Sequence, residues 1–366
     1  MIYNIFSVKD ATIYEQYPTL NTGIDQLLEI SKVIDQTSSY NSRILVKFDL
    51  AEFTSNFTNA ILTQTASYYL KLTATQPTEI PLEYTLFAHP ISQSWNMGTG
   101  VYSSAVTGSS NGDSWKYKLS FVNGSDTGSA WTTASFAVGT TGSWVTIPGG
   151  ATWFTGSAHS QSFTNETTDI EMDVTAAVRR WIAGTTVNEG FVLKKSHTDE
   201  SDLTKQFSAL RFYSRDTNTI YSPRLEMRYD DSVYQTSQSI VDYTNEVVVN
   251  ITNLQEQYAD AGRARISISA RPKYPTRTHA TSSNYLDLYQ LNSSSYYSVR
   301  DAHTDNVIVP FDENNTKISA DSKGSYFMLN LNNLATERYY RLLIKSKVSS
   351  TEQYIYDKNW IFKVVR

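Results

Sequence analysis

The stretch DIEMDVTAAVRRWIAGTTVNEGFVLKK, residues 169–195, begins and ends like a β-strand but changes its periodicity in the middle. Asp173 can accept hydrogen bonds from the first turn of a helix, and Gly184 can take the left-handed cap after its last turn. Between them, apolar residues recur at the spacing of one helical face: Val174, Ala177, Val178, Trp181 and Ile182. We therefore predict a short helical lid, too short to be stable alone, that lays Val174, Val178 and Trp181 over the end of a β-sandwich.

The lid lies in a chain that otherwise has the pattern of an all-β protein. From residue 2 to about 229, apolar runs of five to eight residues alternate with turn residues, which predicts a two-sheet sandwich. Representative runs are RILVKFDL, ASYYLKLTA, LEYTLFAHP, GFVLKK, ALRFYS and PRLEMRY. From about 95 to 165 the composition shifts to Gly, Ser, Thr and Trp. We interpret this region as an insertion within an N-terminal domain over 1–229.

A second domain is predicted after a polar linker at 230–246. From residue 247 the strand pattern returns, and ARISISARP alternates between apolar and polar side chains, with Ala264, Ile266, Ile268 and Ala270 on one face. Such a strand has one buried face and one wet face. About six strands over residues 247–366 predict an immunoglobulin-like β-sandwich.

Composition excludes several classes of function. The 366 residues carry a net charge of -5 without a dense Lys/Arg run, so we expect no nucleic-acid partner. The absence of cysteine removes disulfides, zinc–thiolate sites and a thiol nucleophile. No stretch has the length of a membrane span and no signal peptide precedes the first strand, so we expect synthesis in a cytoplasm and no membrane partner.

The lid carries a resemblance to a known family. MDVTAAVRRWIAGTTVNEGFVLK resembles the signature near the end of DNRLRE-type jelly-roll modules, which are similar to carbohydrate-binding modules of the CBM96 kind. The entry segment resembles the same family through Asp10, Ala11, Tyr14, Pro18, Asn21 and Gly23, and the next strand through Arg43, Phe48 and Asp49. The segments QSWNMGTG and SPRLEMRY follow in the expected order, while the region from 101 to 165 is larger than a compact module needs. The resemblance implies a jelly-roll fold for the N-terminal domain.

The second domain resembles the C-terminal portions of virion structural proteins of tailed phages. The resemblance rests on GRARISISARPKYPTRTHATSSNYL, on YYSVRDAHTDNVIVPFDENNTKISADSKGSYFMLNL and on RYYRLLIKSK. It implies a structural role in a neck, collar, tail or baseplate, and localisation in the virion after synthesis in the host cytoplasm. The implied partners are other virion proteins and further copies of this chain in a symmetric assembly.

The sequence offers little chemistry for an enzyme. The five histidines are widely separated, and neither a Gly-x-Ser-x-Gly elbow nor a phosphate loop is present. Asp301, His303 and Asp305 would point to one side of an extended strand as candidate metal ligands, but a solvated turn is the alternative. The acidic runs at 199–202 and 311–315 are candidates for structural calcium, with surface turns as the alternative. We predict a protein that is not an enzyme and that has no cofactor.

Tryptophans are the remaining functional candidates. Trp115, Trp131, Trp144 and Trp153 lie in the insertion, where few charges accompany them. Aromatic faces in a polar loop region suit stacking on sugar rings or contact with a partner protein, whereas large aromatic residues are more often core. The sequence thus leaves two functions open: a virion structural protein, or a carbohydrate-binding module that recognises a polysaccharide.

Overall fold

Strands provide most of the regular structure, which confirms the all-β class: a jelly-roll sandwich with a capping helix, followed by an immunoglobulin-like sandwich. The computed structural model describes residues 1–35, 38–75, 83–104, 112–119, 128–132, 134–138, 143–147, 149–164, 169–236, 238–244, 246–275 and 288–366. The chain divides into two compact units. We call residues 5–226 the first domain, and residues 1–4 with 227–366 the second domain.

Fourteen described strands lie wholly or mainly in the first domain, and the first residues of β1 and the last of β14 belong to the second domain. They are β1 (Ile2–Tyr14), β2 (Leu27–Asp35), β3 (Ser38–Phe48), β4 (Ser67–Leu72), β5 (Glu83–Pro90), β6 (Tyr117–Leu119), β7 (Ser129–Ala130), β8 (Ala134–Val138), β9 (Ser143–Ile147), β10 (His159–Thr164), β11 (Ile170–Asp173), β12 (Phe191–Lys195), β13 (Phe207–Tyr213) and β14 (Arg224–Arg228). The main sheet has the order β10-β5-β12-β3-β1-β14-β4-β11, and β2 pairs with β3 and β13. Strands distant in sequence are therefore neighbours, as in a jelly roll.

Short helical segments interrupt these strands. They are α1 (Ala51–Asn56), a π-helical turn (Ile61–Thr65), a 3₁₀ turn (Tyr102–Ser104), α2 (Thr175–Ile182) and α3 (His197–Ser201). The predicted lid is α2. The pattern of the sequence indicated α2 alone, because the other segments are one turn or little more and lack an apolar period long enough to read.

Helix α2 is capped and buried as its spacing predicts. The Asp173 carboxylate accepts from the backbone N–H of Thr175 at 2.9 Å, and Gly184 adopts a left-handed φ of 69°. Val174, Val178 and Trp181 are buried, and the Trp181 ring lies 4.7 Å from that of Phe191 in β12. Helix α2 also contacts β4 and the π-helical turn. It therefore covers β12 on one side and β4 on the other.

The two arginines of α2, Arg179 and Arg180, make different contacts. Arg180 is exposed and donates to the Ser157 hydroxyl at 2.6 Å. Arg179 is only half-buried, and its guanidinium donates to the carbonyls of Gln64 and Ala66 at 2.9 and 2.8 Å. Arg179 therefore anchors the helix to the π-helical turn.

The strand register separates two faces of the sheet around β12. Val192 pairs with His89 and Leu45, and Lys194 pairs with Phe87, so these side chains share one face. Phe191, which contacts Trp181, lies on the opposite face. Helix α2 covers that opposite face, and the tryptophan-rich insertion covers the face of Val192 and Lys194.

The second domain contains eleven described strands in two sheets. They are β15 (Ser239–Ile240), β16 (Val247–Ile251), β17 (Gln257–Ala259), β18 (Arg263–Pro272), β19 (Tyr289–Gln290), β20 (Ser295–Asp301), β21 (Val307–Val309), β22 (Ser319–Asp321), β23 (Gly324–Asn330), β24 (Arg338–Lys347) and β25 (Gln353–Val365), with a 3₁₀ turn at Leu331–Asn333. One sheet has the order β15-β19-β18-β23-β22 with β16 beside β18, and the other β17-β25-β24-β20-β21. The predicted alternation in β18 is present, since Ile266, Ile268 and Ala270 are buried.

The boundary between the domains differs from the predicted one. Residues 230–246, which were expected to be a linker, belong to the second domain. Val241 is 3% exposed in its core, and the Tyr234 hydroxyl donates to the Leu291 carbonyl at 2.7 Å. Residues 1–4 belong to the second domain as well, since Ile2 packs in the same core. Sparse apolar residues inside a polar segment concealed this packing.

Candidate functional site

A cavity of about 230 Å³ lies at the end of β12 in the first domain. Strand β5 contributes Phe87 and His89 to its wall, and the segment Lys194–His197 contributes the polar side. Trp153, Thr155 and Ala158 complete the described lining. The cavity thus has aromatic walls and lies on the face of the sheet that the tryptophan-rich insertion covers, to which the Lys194 side chain points.

A buried ion network lies beside the cavity. Arg43 in β3 donates from Nε and Nη2 to the two carboxylate oxygens of Glu200 at 3.0 and 2.8 Å, and Lys194 Nζ lies 2.8 Å from Glu200 Oε2. Arg43 Nη1 also donates to the Gly150 carbonyl at 2.6 Å. All three charged side chains are buried. Such bidentate, charge-assisted pairing is what a buried guanidinium requires.

Aromatic rings enclose the guanidinium of Arg43. Its central carbon lies 4.6 Å from the ring centre of Trp115 and 5.4 Å from that of Trp153. Burial alone would raise the pKa of Glu200, but Arg43 and Lys194 outweigh burial and lower it to about 2. Glu200 is therefore a permanent carboxylate and a structural counter-ion.

Lys195, the last residue of β12, is 4% exposed. Its side chain points to the face of the sheet opposite Lys194, away from the cavity. Its ammonium lies 4.2 Å from the centre of the Phe207 ring and makes no hydrogen bond within the part of the chain that the structure describes. Burial, together with the positive charges of Lys32 and Lys194, lowers the pKa of Lys195 to about 7 although Glu200 and Asp199 oppose this.

The pKa values of the neighbouring basic groups are lowered as well. Burial lowers the pKa of Lys194 to about 8, with Arg43 adding to the effect and Glu200 opposing it. Burial followed by the charges of Lys194 and Arg43 lowers the pKa of His89 to about 3, so His89 is a neutral imidazole at physiological pH. Its Nδ1 is buried without a partner among the described residues. The cavity is thus bordered by a neutral imidazole and by the Lys194 end of the buried ion network.

The structure places three of the four predicted contact tryptophans in the core. Trp115, Trp131 and Trp153 are buried, and Trp131 Nε1 donates to the Ser114 carbonyl at 2.8 Å. They pack with Trp95, Ile91 and Ala151 on the face of the sheet formed by Ala11, Ile13, Leu45 and Val192. Their rings are thus largely unavailable for stacking on a sugar, except where Trp153 borders the cavity. Trp144 lies in β9, and its side chain is outside the described residues.

The candidate metal ligands Asp301, His303 and Asp305 do not form the predicted row. Strand β20 ends at Asp301, whose Oδ1 accepts from the backbone N–H groups of His303 and Thr304 at 2.9 Å each. Arg338 takes the other oxygen of Asp301 at 3.0 Å, and Arg300 and Arg341 bind Asp305. The chain turns through a left-handed Asp305, so the alternative of a polar turn describes this segment.

The two calcium candidates are also occupied by internal contacts. Residues 199–202 lie at the end of α3, where Glu200 turns inward to Arg43. In the run 311–315, Asp312 accepts from the backbone N–H groups of Asn314 and Asn315 at 2.8 and 2.7 Å. No group of three or more His, Cys, Asp or Glu side chains that could hold a metal ion occurs in the described ranges.

Sequence reasoning missed the cavity and its ion network. The sequence contains a signal for the ion network. GFVLKK places two lysines in a strand that is otherwise apolar, and RILVKFDL starts such a strand with an arginine. Buried cations require buried anions. Glu200 follows β12 by five residues and was the nearest candidate, but the acidic run around it was interpreted as a surface turn.

Comparisons with known proteins do not assign the chain to a family. No protein-family model matches the sequence, and no curated protein matches it either. In the ranges that the structure describes, no helix combines the length and the apolar composition needed to cross a membrane.

Proposed function

We propose that the chain is a non-enzymatic structural component of a tailed-phage virion, which docks with other virion proteins and with copies of itself. The resemblance of the second domain to phage structural proteins supports this proposal, as does the use of the candidate acidic ligands in internal contacts. Asp301, Asp305 and Glu200 all pair with arginines, so they serve the fold. The function is then carried by surfaces.

The observation that carries the proposal is a surface row on the second domain. Ile361, Arg341, Arg300 and Val307 lie in one line across β25, β24, β20 and β21, and we call them the arginine row. Ile361 and Val307 are 43% and 50% exposed. Tyr339 lies two residues before Arg341 on the same face of β24 and is 57% exposed. Exposed apolar and aromatic side chains around arginines have the composition of binding hot spots.

The partner that best fits the arginine row is a second copy of the chain. Two aspartates lie beside the arginine row, so both signs of charge occur there. Asp305 bridges Arg300 and Arg341, and Asp357 Oδ2 lies 3.6 Å from Arg341 Nη1. A two-fold interface brings the same patch of two subunits together and therefore requires self-complementarity. A patch with apolar ends and a mixed-charge centre satisfies that requirement.

Sedimentation of the full chain tests this proposal. The wild type should sediment as an oligomer, and Tyr339→Lys combined with Ile361→Lys should weaken association at least tenfold. Val187→Lys is the matched control, because Val187 is 57% exposed in the first domain. A wild type that stays monomeric at high concentration, or a control that dissociates equally, contradicts self-assembly through the arginine row. Mass spectra of purified phage particles test the virion assignment separately.

Carbohydrate binding is the second candidate function. It is favoured by the cavity, where Trp153 and Phe87 form aromatic walls beside polar side chains. Aromatic walls with a few polar groups are typical of small-ligand pockets. Retardation of the protein in gels that contain a polysaccharide tests it, and Phe87→Ala should abolish the retardation while Phe6→Ala, at an exposed aromatic residue, should not.

A further inference from the structure

The side chain of Asn21 joins the turn after β1 to the start of the tryptophan-rich insertion. Its Nδ2 donates to the backbone carbonyls of Met97 and Asp113 at 2.7 and 2.8 Å. Its Oδ1 accepts from the backbone N–H of Gly100 at 2.7 Å. Asn21 is 2% exposed. One buried amide group therefore fastens two segments of the insertion, at residues 97–100 and at Asp113, to the turn after β1.

Two glycines show how closely the insertion surrounds Asn21. A Cβ atom on Gly98 would lie 2.5 Å from Asn21 Oδ1, and one on Gly112 would lie 2.2 Å from Asn21 Nδ2. Both distances are shorter than real Cβ contacts. Close-packed contacts of this kind do not loosen gradually, because they have few intermediate arrangements. The two segments are therefore expected either to enclose Asn21 or to separate from it.

Asp113 is the acidic residue of this junction, and one of its oxygens has no partner. Asn21 Nδ2 lies 3.1 Å from Asp113 Oδ1. Asp113 Oδ2 is buried without a hydrogen bond among the described residues, and the residue is 0% exposed. A buried carboxylate charge without a partner costs far more than a neutral carboxyl group in the same place. The closed junction therefore favours the neutral form of Asp113.

The charged groups that act on Asp113 are Lys9 and Asp10 of strand β1. The positive charge of Lys9 favours the carboxylate, but the Lys9 ammonium donates to the Trp95 carbonyl at 3.0 Å and makes no hydrogen bond to Asp113. The carboxyl of Asp10 disfavours a second negative charge. Burial outweighs Lys9 and the hydrogen bonds, so the pKa of Asp113 lies well above its usual value.

We propose that Asn21 and Asp113 form a pH-sensitive latch, which holds the start of the insertion closed while Asp113 is neutral and releases it when Asp113 ionises. Trp95 and Trp115 lie next to the two segments that the latch holds, and both are buried in the closed form. Release therefore exposes part of the tryptophan cluster while the sandwich beneath it stays folded. The latch is independent of the proposed self-assembly through the arginine row.

The latch weakens as the pH rises. In the open form Asp113 is hydrated, so its pKa returns to the ordinary value of about 3.9. The closed form binds the proton more tightly, because its pKa is raised. The stability of the closed form is thus complete below about pH 4 and is lost as the pH rises toward the raised pKa. Opening is expected to increase between pH 5 and pH 8.5.

Hydrogen exchange of the full chain, read by mass spectrometry at pH 5 and pH 8.5, tests the latch. The backbone N–H groups of Gly100 and Asp113 donate to Asn21 Oδ1 and to the Asn96 carbonyl, so their exchange reports opening. After correction for intrinsic rates, their protection should fall at least tenfold at pH 8.5, while peptides from β3 and β12 keep theirs. Unchanged protection, or an equal fall in β3 and β12, overturns the proposal.

Two variants separate Asp113 from the neighbouring acid. Asp113→Asn keeps the shape of the neutral carboxyl group and cannot ionise, so the protection of Gly100 should no longer depend on pH. Asp10→Asn is the matched control, because burial raises the pKa of Asp10 to about 7 as well, but its carboxylate accepts from Ser7 and Arg215. Asp10→Asn should retain the fall in protection. Loss of the pH dependence in Asp10→Asn, or its persistence in Asp113→Asn, overturns the proposal.

Quenching of tryptophan fluorescence by acrylamide gives a second readout on the wild type itself. Acrylamide is uncharged, so its access to the rings does not depend on the charge of the protein. Quenching should increase from pH 5 to pH 8.5, because Trp95 and Trp115 become accessible. Far-ultraviolet circular dichroism should stay unchanged over the same range, since the sheets remain folded. Equal quenching at the two pH values contradicts the latch.

Discussion

Glu200 is the residue on which the buried charges of the first domain depend. Glu200→Gln removes the partner of both Arg43 and Lys194 while it keeps the size of the side chain. Removal of one member of a buried ion pair typically lowers the free energy of unfolding by 3 to 5 kcal/mol, because the remaining charge stays buried and unpaired. We expect a loss of about 4 kcal/mol at pH 7 in denaturant unfolding.

Glu189→Gln is the matched control for this prediction. Glu189 pairs with Lys47 at 2.7 Å, but both side chains are about one fifth exposed. Loss of a solvent-accessible pair costs about 1 kcal/mol or less. The pH dependence gives a second check: the lowered pKa of Glu200 contributes stability that is lost as the pH falls from about 4.5 to about 2. Equal losses in the two variants would show that Arg43 and Lys194 find other partners.

Asp10 illustrates the opposite direction of a pKa shift. Its Oδ2 accepts from the Arg215 backbone N–H and the Ser7 hydroxyl at 2.8 and 3.1 Å, while its Oδ1 has no partner among the described residues. Burial outweighs these hydrogen bonds and raises the pKa of Asp10 to about 7. The stability that the protonated form provides is present below about pH 4 and is lost as the pH rises through 7.

Asp10→Asn should therefore gain stability relative to wild type as the pH rises. The difference in free energy of unfolding should grow by about 4 kcal/mol between pH 4 and pH 8, since each tenfold change in proton affinity is worth about 1.4 kcal/mol. Denaturant unfolding at several pH values measures it. Asp49→Asn, at an exposed aspartate that accepts from Ala51, is the control. A difference for Asp10→Asn that does not change with pH would contradict the prediction.

Residue roles were less predictable from sequence than residue burial. The sequence indicated that Trp181 and Val178 are buried, because helical period and hydrophobicity are local properties. Pairing of Arg43 with Glu200 is not local, since 157 residues separate them. The same holds for Trp153, for which the sequence left both a sugar contact and a place in the core open and which the fold places against β12.

Helix α2 is the element that the sequence predicted best, because both of its ends carry local signals. Gly184 follows its last turn with a φ of 69°, and a Cβ atom there would meet no atom within 4 Å. Gly184→Ala therefore adds backbone strain and no steric clash. The left-handed conformation costs an L-residue about 1 to 2 kcal/mol.

We expect Gly184→Ala to lower the free energy of unfolding by about 1 kcal/mol. Gly156→Ala is the control, since Gly156 also has no atom within 4 Å of a built Cβ and does not have a positive φ. Its effect should stay within about 0.5 kcal/mol. Thermal or denaturant unfolding measures both. Equal effects of the two substitutions would show that the cap of α2 does not depend on the left-handed glycine.

At the scale of the molecule, two β-sandwiches were predictable, and their boundary was less so. Turn residues and alternating runs gave the class of each domain. Residues 1–4 belong to the second domain through contacts that span more than 300 positions, as when Asn330 Nδ2 donates to the Ile2 carbonyl at 2.9 Å. No local pattern carries such a contact. The sequence pattern therefore assigned residues 1–4 to the N-terminal domain together with the rest of β1.

Ile2→Ala tests this division of the chain. Ile2 is 5% exposed in the core cluster of the second domain, with Ile266, Phe327 and Leu329. Truncation of a buried isoleucine typically costs 2 to 5 kcal/mol. We expect Ile2→Ala to accelerate backbone hydrogen exchange in peptides from β18 and β23, far from position 2 in sequence, and to leave peptides from β3 and β12 nearly unchanged.

Ile13→Ala is the matched control within the same strand β1. Ile13 is fully buried in the first domain beside Leu45 and Val192, so its truncation should accelerate exchange in β3 and β12 instead. The two substitutions delete the same atoms eleven positions apart, and the expected patterns are opposite. If both variants accelerated exchange in the same peptides of the first domain, residues 1–4 would belong to that domain, as the sequence pattern alone suggested.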